Sequence, residues 1–107
     1  MPSVRDHDRV EKAKGIKRSI HHPVNSFMDS TASIHGPKHR EDFIHSPEFC
    51  DLLDKKGLPE PANVCWDHLD LDNKCDKFKE QDKDTWRIQC KLEIEKRSKS
   101  LQKSVVN

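Results

Sequence analysis

Four cysteines and seven histidines are the residues of this 107-residue chain best suited to chemistry. The cysteines fall as Cys50-x14-Cys65-x9-Cys75-x14-Cys90. No CxxC pair occurs, which removes the thioredoxin-like redox centre and the zinc ribbon. On a helix, Cys65 and Cys75 stand ~15 Å apart along the axis, well beyond the ~7 Å Cα separation that a disulfide spans. If that stretch is helical, each must therefore pair with another segment. The pattern reads as helices stapled across their turns.

The histidines suggest less. His21, His22, His35, His39 and His45 lie in a stretch punctuated by Pro and Gly and read as surface or packing residues. Cys65-x2-His68 is the one tight pair a zinc site would use, whereas such sites usually bring two. No metal is expected. Asp67, Asp70, Asp72 and Asn73 lack the glycine and distal glutamate of a calcium loop and read as the solvated face of a helix. A thiol nucleophile needs a free cysteine beside a base, and no phosphate loop, paired-carboxylate motif or nucleotide fingerprint is present. No catalytic residue, cofactor or small-molecule substrate is expected.

The elements that must position the cysteines are legible from Ser46 onward. Ser46-Pro47-Glu48 is an N-cap, a proline at the first helical position and an acid in the first turn. Phe49, Cys50, Leu52 and Leu53 form an apolar face, and Gly57 ends the helix. Leu58 to Pro61 reads as a rigid connector, followed by a second helix from Ala62 to about Glu80. A third begins after the turn at residues 81–84, with Asp82 or Asp84 as N-cap, and runs to about Lys103. Residues 86–94 alternate apolar and polar (Trp86, Ile88, Cys90, Leu92, Ile94), which is a strand signature. No second strand exists to pair with it, and residues 93–103 are rich in helix formers. As a helix it carries two stripes: Trp86, Cys90, Ile94 and Leu101 on one side, Ile88 and Leu92 on the other. The second stripe then calls for a partner.

Residues 1–45 hold scattered apolar anchors between Gly15, Pro23, Gly36 and Pro37, which punctuate against a long helix. They read as an extended, partly irregular arm with at most a short basic helix over 8–20. Phe27, Met28, Phe43 and Ile44 are its expected contacts with another protein. Only 32% of the chain is hydrophobic and 36% is charged, so a self-sufficient core is not expected without disulfides or a partner. Twenty basic residues against 19 acidic give +1, which weighs against nucleic acid. No apolar run approaches the ~18 residues needed to cross a bilayer. Met1 to Arg18 resembles neither a secretory signal nor an acid-poor transit peptide.

With helices on both sides of the 81–84 turn, Cys65-x9-Cys75-x14-Cys90-x9-Ser100 resembles the twin CX9C frame of coiled-coil-helix-coiled-coil-helix (CHCH) proteins of the mitochondrial intermembrane space. The resemblance covers about residues 62–103. It departs from the family at Ser100, where the fourth cysteine belongs. It implies Cys75–Cys90 as the family-like inner bridge, and Cys50–Cys65 as a displaced one across the Gly57–Pro61 turn. The nested alternative, Cys50–Cys90 with Cys65–Cys75, needs a turn within residues 67–73 and a straight arm through Pro59 and Pro61. The expected architecture is all-α: a small disulfide-stapled helical hairpin of about three helices (46–103), an extended arm (1–45) and a tail (104–107). The resemblance further implies a non-catalytic accessory subunit of an inner-membrane respiratory complex, complex I first, peripheral on the intermembrane-space side among other subunits. A soluble assembly factor or metal chaperone of that compartment is the alternative.

Overall fold

Six α-helices form among the described residues: α1 (Val4–Ala13), α2 (Arg18–Met28), α3 (Ala32–His35), α4 (Pro47–Lys55), α5 (Pro59–Lys77) and α6 (Lys83–Val106). Short 3-10 turns cover Gly36–Glu41, Phe43–His45 and Phe78–Glu80. The structure, a computed structural model, describes the backbone of residues 2–106 and the side chains of 2–99. Among the described residues every regular element is helical, so the all-α expectation holds, and residues 86–94 are helix despite their alternation. The side chains of Ser100 and Leu101, and all of Asn107, lie outside the described residues. The α6 backbone runs on through Val106, into the segment read as a tail.

Two disulfides staple the helices as expected. Cys50–Cys65 joins α4 to α5 with Cα atoms 5.4 Å apart, and Cys75–Cys90 joins α5 to α6 at 5.1 Å. Ser46 caps α4 by accepting from the Phe49 amide, and Asp82 accepts the Thr85 amide at the start of α6. Gly57, at φ 76°, reverses the chain between α4 and α5, a conformation that costs other residues a Cβ clash. Pro59 and Pro61 do not form a separate connector. They lie in the first turn of α5, where a missing amide has no intrahelical acceptor to lose.

The N-terminal 45 residues are not an extended arm. Ser3 and Asp6 close a capping box on α1, with Ser3 N–H donating to Asp6 Oδ2 at 2.9 Å and Asp6 N–H to Ser3 Oγ at 3.2 Å. Gly15, at φ 83°, ends that helix and divides the expected 8–20 segment in two. The second part, α2, passes through Pro23, whose lost amide costs one bond on an exposed face. α1 packs on α2, α5 and α6, while α2 packs on α5.

The molecule measures 43 × 41 × 19 Å, about two helix diameters thick. Such a slab has no single thick core. Instead there are two small apolar clusters, each built on a disulfide: Val10, Leu71 and Ile94 around Cys75–Cys90, and Met28 and Leu69 around Cys50–Cys65. No helix among the described residues is long and apolar enough to cross a membrane.

Candidate metal centre

Polar groups occupy the space between the two clusters. Cys65, His68, Asp72 and Cys75 stand at i, i+3, i+7 and i+10, one face of α5. The two disulfide ends of that face are apolar and its middle is an imidazole and a carboxylate. Asp29 meets them from the C-cap of α2, and His45 from the turn just before the α4 cap. The side chains of His68, His45 and Asp72 are 0%, 3% and 5% exposed, and that of Asp29 is 15% exposed.

The distances define a small cage. His45 Nε2 lies 2.9 Å from Asp72 Oδ2 and 3.4 Å from Asp29 Oδ1. His68 Nε2 lies 3.2 Å from Asp29 Oδ1 and 3.5 Å from Asp72 Oδ2. All four ligand-type atoms fall within 4.8 Å of one another. Tetrahedral zinc with N and O ligands at ~2.0–2.1 Å has ligand–ligand edges of about 3.3–3.4 Å. The four measured edges bracket that value, and two of them exceed the usual hydrogen-bond range.

Proton accounting sharpens the point. Asn25 Nδ2–H donates to Asp8 Oδ1 at 2.9 Å, which turns its carbonyl oxygen toward His68 Nδ1 at 2.9 Å. That oxygen accepts only, so His68 Nδ1 carries the hydrogen. In a neutral ring, Nε2 then holds a lone pair, and it faces two carboxylates. Burial pushes the His68 pKa down, as does the neighbouring His7, and the carboxylates do not offset them. The lowered pKa favours the neutral ring, whose Nε2 lone pair is a ligand atom facing both carboxylates. His39 repeats the pattern: Nδ1 donates to Gly36 O at 2.7 Å and Nε2 faces Asp29 Oδ1 at 3.2 Å. Such outer hydrogen bonds fix the tautomer of metal-binding histidines.

The remaining charges describe the centre without a metal, in which a proton on His45 takes the cation's place. Burial would raise both carboxyls, yet hydrogen bonds from His45 and His68, with positive charge on the surrounding imidazoles, hold Asp29 well below the ordinary range. Those from His45 and His7 do the same for Asp72. Burial pulls His45 down, but Asp29 and Asp72 outweigh it and push it up to about 9. Around the cage, His7 Nε2 reaches Asp72 Oδ1 at 3.1 Å and its ring stacks on His68 with centroids 3.5 Å apart. Arg40 pairs with Asp76 and lies 3.5 Å from Asp72.

Of the histidines read as surface or packing residues, His39 and His45 are packed in a buried polar centre with His68, and Asp72 leaves the solvated face expected for it. The Cys65-x2-His68 pair divides, the cysteine into a disulfide and the histidine into the cage. The readable signal was His68-x3-Asp72 on the helix face that carries Cys65 and Cys75. Asp29, His39 and His45 have no such spacing to mark them.

The expected partner contacts separate. Ile88 and Leu92 are 58% and 52% exposed, on the side of α6 away from buried Cys90 and Ile94. Phe27 and Phe43 are exposed but lean on the Phe49 ring. Ile44 is half-buried. Met28 is fully buried against Cys50, Cys65 and Leu69, so it belongs to this chain's own core. No protein-family model, curated protein or solved structure matches the chain.

Proposed function

We infer that this chain is a non-catalytic structural protein whose fold is closed by one buried divalent transition metal, zinc by preference. The observation that carries this reading is the convergence of His45 Nε2, His68 Nε2, Asp29 Oδ1 and Asp72 Oδ2, largely buried and within 4.8 Å of one another. Two carboxylates balance a dication once the metal displaces the proton that Asp29 and Asp72 favour on His45. Nitrogen and oxygen donors suit zinc, and all four thiols are committed to disulfides. Four protein ligands in a closed set leave no position for a substrate, as in structural zinc sites. Elemental analysis of the oxidised protein should find about one zinc per chain, with an X-ray absorption shell of nitrogen and oxygen alone. A metal-free protein that takes up no zinc, or a shell containing sulfur, would overturn the reading.

A second reading concerns where such a protein works. The oxidised cysteines and the exposed Ile88–Leu92 stripe support an accessory subunit of a mitochondrial inner-membrane respiratory complex, facing the intermembrane space, with complex I the first host to test. A soluble assembly factor or metal chaperone of that compartment is the alternative. A buried, closed ligand set favours retention of the metal over its transfer. Blue-native electrophoresis separates the two: stable comigration with a mature complex supports the subunit, and a free pool supports the factor.

A further inference from the structure

His21 and His22 take no part in the metal centre. They belong to an open cleft between α1 and α2, of about 790 Å³, a size typical of small-molecule sites. Arg5, Arg9 and Lys12 line it from one stripe of α1, at i, i+4 and i+7, spanning ~10 Å along the axis. Arg18, the first residue of α2, lines it from the other helix. None of these four cations has a carboxylate partner among the described residues.

The one carboxylate lining the cleft, Asp8, is already engaged. Its Oδ1 accepts from His21 Nδ1 at 2.8 Å and Asn25 Nδ2 at 2.9 Å, and its Oδ2 from His22 Nδ1 at 2.6 Å. Asp8 therefore orients imidazoles and leaves the guanidiniums uncompensated. Asp8 holds Nδ1 of His22, whose side chain is 41% exposed at the cleft. The chain as a whole carries only +1, so this grouping is a local arrangement and not an overall excess of base. Guanidinium forks match phosphate oxygens, often in pairs of parallel bonds. Val4 and Ile16 add an apolar surface to the cleft, which suits an organic body beside the phosphates.

We propose that the α1–α2 cleft binds an organic phosphate carrying more than one phosphate group, held by Arg5, Arg9, Lys12 and Arg18. The phosphate ester can belong to a free metabolite or to a lipid headgroup. The test uses the full oxidised, metal-loaded chain in calorimetry with fructose 1,6-bisphosphate, with fructose as the uncharged control. Flotation with phosphatidylcholine vesicles bearing a phosphoinositide bisphosphate forms the lipid arm, with phosphatidylserine vesicles as its control. Saturable binding in either arm, absent from that arm's control, supports the proposal and identifies the source. The R5Q/R9Q double variant should weaken it by about tenfold or more, the scale of lost charge-assisted contacts. Lys17→Gln, which removes a neighbouring charge outside the cleft, should leave it unchanged. Circular dichroism and zinc content confirm that each variant is folded. No binding in either arm, equal binding to phosphatidylserine, or equal losses in K17Q and R5Q/R9Q would overturn it.

Discussion

The two halves of this molecule are held by different physics. From α4 onward, disulfides tie consecutive helices and apolar side chains gather around each bridge. Before α4 no covalent link exists, and α1 and α2 dock largely through buried polar groups: His7, Asp8, Glu11, His21 and Asn25 are each at most 8% exposed. Disulfides act mainly on the unfolded chain and ask little of side-chain geometry. A buried polar network is stabilising only while every member is satisfied. The stapled half should therefore tolerate change, while the N-terminal half should be conditional on its centre.

Breaking the centre should have the largest effect. Asp72→Ala or His68→Ala removes one ligand and leaves the others buried, at a cost of about 3–5 kcal/mol. Both variants should lose zinc, and amide exchange should accelerate across α1 and α2 far more than in the stapled α5. Uniform exchange along the chain would erase the contrast. Cutting the other kind of tie comes next. The Cys75→Ser/Cys90→Ser pair opens a loop of separation 15, which should cost about 3 kcal/mol in denaturant melts while zinc remains bound.

Glu11 offers a milder test that sharpens the comparison. It is 1% exposed, and burial, with Asp67 beside it, raises its pKa far above the model-compound 4.5. The folded state keeps this proton while the unfolded chain releases it above about pH 4.5. Its contribution to stability is thus complete in acid and lost as pH rises. Glu11→Gln keeps the shape without the proton loss. It should raise stability at pH 7 by about 1–3 kcal/mol, with a flatter pH profile than the parent between pH 5 and pH 8. An unchanged profile would mean that Glu11 is ionised in the fold. The smallest effect on the isolated chain belongs to Ile88→Ser/Leu92→Ser: within about 0.5 kcal/mol, as for exposed sites. On the accessory-subunit reading proposed above, the same variant should lose comigration with a respiratory complex in mitochondria.

The same contrast explains how much could be read from the sequence. The stapled half was legible because its signals are local: Ser46-Pro47 at a cap, Gly57 at a reversal, and cysteines whose spacing excludes a bridge within one helix. Hydrophobic periodicity finds cores made of apolar residues, and the buried face of α1 is His7, Asp8, Val10 and Glu11. Only Val10 registers on a hydropathy scale, so the helix looked like an arm. Its capping box, Ser3 with Asp6, was present in the sequence. The candidate metal centre joins residues 29, 45, 68 and 72 through tertiary packing, and a pattern search along one chain does not see that.

One consequence follows from the face of α5 that carries Cys65, His68, Asp72 and Cys75. Adding one residue to a helix turns everything beyond it by ~100° and moves it by ~1.5 Å. An insertion between Cys65 and Cys75 would therefore swing a cysteine, and with it part of the cage, away from their neighbours together. The helix behaves as a ruler. Its exposed marks, such as Trp66 and Asn73, are open to substitution, but the number of residues between the two cysteines is not free to drift.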